Sequence, residues 1–357
     1  MKTLDICKAL YRRYEETEPI ENYYGLLAVW ALAQTAWQSG EAELLNKLVA
    51  YLEQYPKAGQ TQHFNFDCYR CGGNARAYLA WKGLFPGQEE ILDSYAQRMM
   101  NAPRSQEGIL CMPTDPLRKK VWIDVVTCVT PFMLYVGKLN RKEEYCRFGI
   151  SQCFGMFDLL LDPRTGLLHQ CRGFMEDLDR ISEDHWSRGN GWGIVGLAAI
   201  LDTMPSGSEA YREAADRLKA LTDSLLSYQT KRGVWRQEIT ERLAYEEASG
   251  TALILYGIGV GIRTGVLKDA GIRSAYEKGI RGMCNRFIGS GFVTEYSCPG
   301  CLCPGEGTEK GTVQAYITEK IPYPDEHHSF GCLMLALAEA NYNGITELEW
   351  RGYVPRD

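Results

Sequence analysis

The sequence predicts an all-α protein, an (α/α)6 barrel of six helical hairpins, on three observations. Two kinds of helical segment alternate strictly along the chain, six of each. One kind carries a wet face, whereas the other is apolar or small on nearly every side and so must be buried. A glycine turn with a short apolar run also recurs at one place in the repeat: Gly108-Ile109-Leu110, Gly166-Leu167-Leu168, Gly233-Val234-Trp235 and Gly291 to Val293.

Taken in order, the first hairpin pairs the amphipathic stretch 3–14 with the apolar stretch 24–36, and the second pairs 41–55 with 73–84. The third joins 88–100 to 121–136, and the fourth joins 141–161 to 190–204. In the fifth, Tyr211, Ala215, Leu218, Leu221, Leu225 and Tyr228 recur at helical spacing through 209–228, ahead of the buried stretch 249–264. The sixth joins 269–288 to 329–340 across a glycine- and proline-rich segment, 297–311. Buried starts roughly 50 to 80 residues apart do not fit an open solenoid with a regular period near 34 residues. A closed ring within a single domain, residues 1–357, is the expectation. Loops from each outer helix to the next inner helix then open on one face, where function belongs.

Composition narrows the function classes. Of 357 residues, 45% are hydrophobic and 24% charged, which is ordinary for a globular chain and excludes disorder or a fibre. A net charge of −6 gives no basic face for nucleic acid. No apolar run reaches the roughly 20 residues that cross a bilayer. Asp5, Lys8, Arg12 and Arg13 interrupt any apolar leader, so a cytoplasmic protein is expected. Thirteen cysteines, an odd number placed within apolar helical stretches, suggest reduced thiols.

The loops of the functional face carry His63, Asn65 and Asp67, then Lys119, Trp122 and Asp124, then His169 and Arg172, then His185-Trp186-Ser-Arg188-Gly-Asn190-Gly-Trp192. Asp124 heads a buried helix, where an unpaired charge is costly. It is either a helix cap or a catalyst. Trp186 and Trp192 offer stacking surfaces for a sugar and Arg188 a fork for a carboxylate, or else all three are structural. Glu247, Ser249 and Thr251 start the fifth inner helix, and His327 and His328 precede the sixth.

The segments VWIDVVTCVTPFMLYVGK, HWSRGNGWGIVGLAAIL and YEEASGTALILYGIGVGIRTG resemble glycoside hydrolase family 105, the unsaturated rhamnogalacturonyl hydrolases, and its sister family 88, the unsaturated glucuronyl hydrolases. The resemblance runs from about residue 60 onward and implies the same (α/α)6 barrel. It implies release of a 4,5-unsaturated uronic acid from the non-reducing end of a lyase-generated oligosaccharide. An aspartic acid protonates C4, water adds at C5, and the hemiketal opens to expel the aglycone. It casts Asp124 as the acid/base and Asp67 as the second aspartate, although FNFDCYRCGGN departs from the usual pattern. It casts His169, Trp186, Arg188 and Trp192 as substrate contacts; Asn190, Ser249 and Thr251 are further substrate-binding candidates.

No cofactor is expected: Gly257-Ile-Gly259-Val-Gly261 falls within a helix and cannot form a dinucleotide turn. Cys68-x-x-Cys71 with Cys298-x-x-Cys301-x-Cys303 is a formally adequate zinc set, set against free thiols. The competing readings are a sugar epimerase using His169 with His327 or His328, and a non-catalytic helical interaction protein.

Overall fold

The computed structural model describes residues 1–17, 20, 22–56, 66–350 and 352; His63 and Asn65 lie outside the described residues. The outer helices are α1 (Thr3–Thr17), α3 (Ala42–Leu52), α5 (Glu89–Asn101), α7 (Glu143–Leu160), α9 (Glu209–Ser227) and α11 (Ala270–Phe287). The inner helices are α2 (Tyr23–Ser39), α4 (Gly73–Trp81), α6 (Val125–Asn140), α8 (Ser187–Thr203), α10 (Ala248–Arg263) and α13 (His328–Tyr342). Each inner helix packs on the next, and α13 returns to α2, which closes the ring. Inner helices lacking a polar stripe have no stable place except between two neighbours and an outer helix, so burial drives closure.

Two details depart from the sequence expectation. The stretch 121–136 is helical only from Val125, because Val121–Trp122 forms strand β1, antiparallel to β2 (Cys171–Arg172). Ile123 N–H then donates to Gln170 O at 2.9 Å, so the backbone is spent sideways before the helix can start. A short extra helix, α12 (Val313–Glu319), follows the glycine- and proline-rich segment. Among the described residues, no helix is long and apolar enough to cross a membrane.

All four expected turn glycines are left-handed, with φ of +78° at Gly108, +70° at Gly166, +88° at Gly233 and +67° at Gly291. Each lets its loop fold back, as in the Leu161 to Leu168 bridge, and so brings the following residues onto the N-terminal ends of the inner helices.

Close approach at that end depends on Gly250. A Cβ there would lie 2.5 Å from the backbone nitrogen of Arg188, and neither backbone can yield without moving a helix. Gly250→Ala is therefore expected to destabilise the fold by about 1–3 kcal/mol, the usual penalty of overpacking. Chemical denaturation would check this, and an unchanged midpoint would show that α8 and α10 can separate freely.

Candidate active site

Asp124 immediately precedes α6, but its backbone is already helical (φ −56°, ψ −28°) and its side chain caps nothing. Capping needs an extended backbone that swings the carboxylate back over the first N–H groups. The side chain instead faces inward, half-buried, with Oδ2 sealed from solvent and without a hydrogen-bond partner. The cap reading is thereby excluded. Burial pushes the Asp124 carboxyl up to about 7, against the pull of the Arg188 guanidinium and of the Trp192 indole, with Asp184 adding to the rise.

Asp124 lines a cavity of about 410 Å³ with Tyr23, Phe66, Tyr69, Trp122 and the loop Gly300 to Leu302; Lys320 stands at the same wall. Phe66 and Trp122 stack there at 5.6 Å. A narrower apolar crevice opens on the same Tyr23, Tyr69 and Asp124, and Trp192 and Asn74 form part of its wall. A carboxyl that stays protonated near neutrality, set among aromatic faces, can deliver a proton to a sugar-sized substrate.

Arg188 lies behind this wall. It is 1% exposed, packs over the Trp186 ring at 4.5 Å, and donates from Nη1 to Ser249 Oγ (2.9 Å) and the Cys298 carbonyl, and from Nη2 to the Pro299 carbonyl (2.9 Å). Two of its N–H groups are thus committed to the loop that roofs the cavity and a third to the start of α10. Its Nε is buried without a partner, so Nε–H and one Nη2 hydrogen remain. Burial works against its charge, but Cys298, Glu326 and Glu247 more than offset this and keep it cationic. Glu247 caps α10, accepting from Ser249 N–H (2.9 Å) and Gly250 N–H (2.6 Å), and also holds Cys298 N–H (2.9 Å). Ser249 bridges Glu247 and Arg188, so it positions the arginine from behind the wall.

Several expected contacts serve the scaffold instead. Asn190 is fully buried and exchanges hydrogen bonds with both Leu168 N–H (2.8 Å) and Leu168 O (3.0 Å), pinning the glycine turn to α8. Thr251 accepts from Trp235 N–H at 2.9 Å and is also fully buried. Trp186 is buried under Arg188 and does not line the cavity. Asp67 is not brought to Asp124. It sits in a short 3-10 turn, Asp67–Cys71, pairs with Arg70 at 3.4 Å, and opens on a separate groove with Arg98 and Pro103. A 3-10 turn has three residues per turn, so Asp67 and Arg70 share its outer side while Tyr69 takes the cavity side.

His169 also turns away. It follows a bridge in extended chain, so it and Gln170 face opposite sides. Gln170 reaches the roof loop at Cys301 O (2.6 Å), whereas His169 donates from Nδ1 to Asp184 O (2.9 Å) and lies tilted against His185, ring centroids 4.9 Å apart. With Asp162, these two histidines form the one group of three potential metal donors among the described residues, all within 4.8 Å of one another. The cysteines do not converge in this way. Cys68 is tied to Cys128 O (3.4 Å), Cys71 to Cys68 O (3.1 Å), and Cys303 contacts Met175 Sδ (3.5 Å). The paired-histidine reading finds no such pair: His328 belongs to a separate hydrogen-bonded group with Tyr23 and Glu326, and His327 stacks on Tyr24.

Tyr23, Tyr69 and Lys320 are absent from the sequence candidates. Tyr23 opens α2 as Ser187 opens α8, and Asp124 immediately precedes α6, a similar repeat position that could have singled Tyr23 out. Lys320 follows α12, which the repeat pattern does not contain.

The profile described as Glycosyl Hydrolase Family 88 matches residues 6–342. The chain belongs to this family. Among curated proteins, the Family 88 chain is 24% identical over 212 residues to the unsaturated 3S-rhamnoglycuronyl hydrolase of Alteromonas sp. (strain LOR), covering 58% of this chain and 51% of that protein. It is 26% identical over 174 residues to the unsaturated rhamnogalacturonyl hydrolase YesR of Bacillus subtilis, covering 46% and 50% respectively. The chain thus spans about half the length of the curated relatives it matches. A family 105 glycoside hydrolase of C. acetobutylicum superposes with a TM-score of 0.83 at 18% identity, over 96% of this chain and 100% of that one. An unsaturated glucuronyl hydrolase specific for heparin superposes at 0.70 and 12% identity, over 96% and 97%. These likenesses establish the (α/α)6 barrel.

Proposed function

We propose that this Family 88 chain removes a 4,5-unsaturated uronic acid from the non-reducing end of lyase-generated oligosaccharides, of the unsaturated rhamnogalacturonyl type, by hydrating the C4=C5 bond. The observation that carries the reading is the buried carboxyl of Asp124, raised to about 7 and with Oδ2 lacking a hydrogen bond, in an aromatic-walled cavity. Asp124 donates its proton to C4 and water adds at C5. The hemiketal then opens and frees the aglycone. Trp122 and Trp192 provide faces for the sugar rings, and Lys320 a cation for the uronate that an acidic protein must hold locally. Rhamnose as the next sugar, from a pectin fragment, is the preferred aglycone, in keeping with the named relatives.

The deciding experiment incubates the purified chain with lyase-generated unsaturated disaccharides of several backbones and follows loss of the ultraviolet absorbance of the conjugated double bond. Loss with a rhamnose-containing disaccharide supports the reading; no loss with any backbone overturns it. Because Asp124 must hold its proton to donate it, turnover is expected to fall as pH rises through about 7. A pH–rate profile flat from pH 6 to about 9 would show that another group supplies the proton. We further propose a reducing, cytoplasmic setting, supported by thirteen free, buried thiols.

A further inference from the structure

The hydration consumes a water whose proton needs an acceptor; the Asp124 carboxylate left by proton donation is one, and the cavity wall beside it holds a second set of groups able to take a proton. The other acidic groups nearby are spent: Asp67 faces a separate groove, Asp184 holds the Gln170 and Trp186 N–H groups, and Glu247 caps α10. We propose that Tyr23 is a second catalytic residue, relaying the proton of the attacking water to His328, with Glu326 as the positioning residue behind it. The proposal rests on the hydrolase reading above.

The geometry gives each group one role. Tyr23 lines the cavity beside Asp124 and is hydrogen-bonded to His328 Nε2. His328 Nδ1 lies 2.6 Å from Glu326 Oε1; a carboxylate only accepts, so Nδ1 carries the hydrogen and Nε2 accepts from the tyrosine hydroxyl. Glu326 is fixed in turn by Ser297 Oγ and by His328 N–H at 3.1 Å. Burial, then Arg188, hold the His328 imidazole below its ordinary range, so it is neutral and able to take a proton. Burial raises the Glu326 carboxyl, but His328 and Arg188 more than offset this and keep it ionised. Burial also raises the Tyr23 hydroxyl, so a free phenolate is unfavourable and a concerted relay is the available route.

In the step, the Asp124 O–H bond and the C4=C5 π bond break as C4–H forms. Water oxygen bonds to C5, one water proton passes to Tyr23 Oη, and the tyrosine's own proton passes to His328 Nε2. Asp124 ends as carboxylate and His328 as imidazolium, paired with Glu326. Return of that proton through Tyr23 and solvent to Asp124 resets the site.

The test measures kcat and KM separately for Tyr23→Phe, Glu326→Gln and the wild-type chain on an unsaturated disaccharide, with melting temperatures as the folding control. Tyr23→Phe is expected to lower kcat by on the order of 10²-fold, with KM nearly unchanged. Glu326→Gln keeps an acceptor for Nδ1–H but removes the charge that stabilises the imidazolium, so kcat falls about tenfold in a folded protein, the counterpart of about 1.4 kcal/mol. Wild-type turnover that survives Tyr23→Phe, or a change in KM alone, overturns the relay and leaves the hydrolase reading standing. No turnover by the wild-type chain overturns both. If Glu326→Gln fails to fold, Tyr23→Phe decides the question.

Discussion

Asp124→Asn is expected to lower turnover of an unsaturated uronide by on the order of 10² to 10⁴, the worth of a positioned proton donor, while the fold survives. The amide fills the same volume and has no proton of useful acidity. The same substitution has an opposite effect on stability. Burial raises the native carboxyl from its ordinary 3.8 to about 7, so the folded chain binds this proton more tightly than the unfolded one does. Stability tied to this group is therefore present at low pH and is lost as pH rises from about 4 through 7. Asparagine cannot ionise and escapes the loss. The variant should gain melting temperature relative to wild type at pH 8, gain less at pH 5, and show little gain below about pH 4. Near-wild-type turnover by a folded variant would remove Asp124 from the chemistry, and a gain larger at pH 5 would contradict the raised pKa.

Arg188→Lys should act on both stability and substrate affinity. Lysine keeps the charge but replaces a planar fork with a single ammonium. The arginine holds Ser249 Oγ and the carbonyls of Cys298 and Pro299 at once, and the roof residues Gly300 to Leu302 follow directly from those carbonyls. Losing one or two charge-assisted hydrogen bonds costs about 1.5–3 kcal/mol each, which should lower the melting temperature by several degrees. A roof loop no longer held in place should raise KM by roughly tenfold or more, about 1.4 kcal/mol of binding. An unchanged KM in a destabilised variant would mean that the roof takes no part in binding, leaving Lys320 and the aromatic walls to hold the substrate.

The amino-acid sequence by itself determined the barrel. Six stretches without a polar face can satisfy their burial only inside a ring, and Gly108, Gly166, Gly233 and Gly291 mark where each loop must fold back. Both features are local: helical periodicity and left-handed turns are written into neighbouring residues. The sequence also singled out Asp124 but could not separate a cap from an acid, because the two differ only in a backbone angle and in what surrounds the carboxyl. Only the tertiary structure settled that, and it reassigned much of the site. Asp67 and Tyr69 are two residues apart, yet a 3-10 turn sends them to different grooves. His169 and Gln170 are adjacent, yet strand alternation gives the roof loop to the glutamine. The Tyr23–His328 contact joins residues 305 apart in the chain, where only ring closure between α2 and α13 brings them together. A side chain's type and spacing limit its chemistry, but its neighbours are chosen by the packing of distant segments, and those neighbours decide which aspartate can hold a proton at neutral pH.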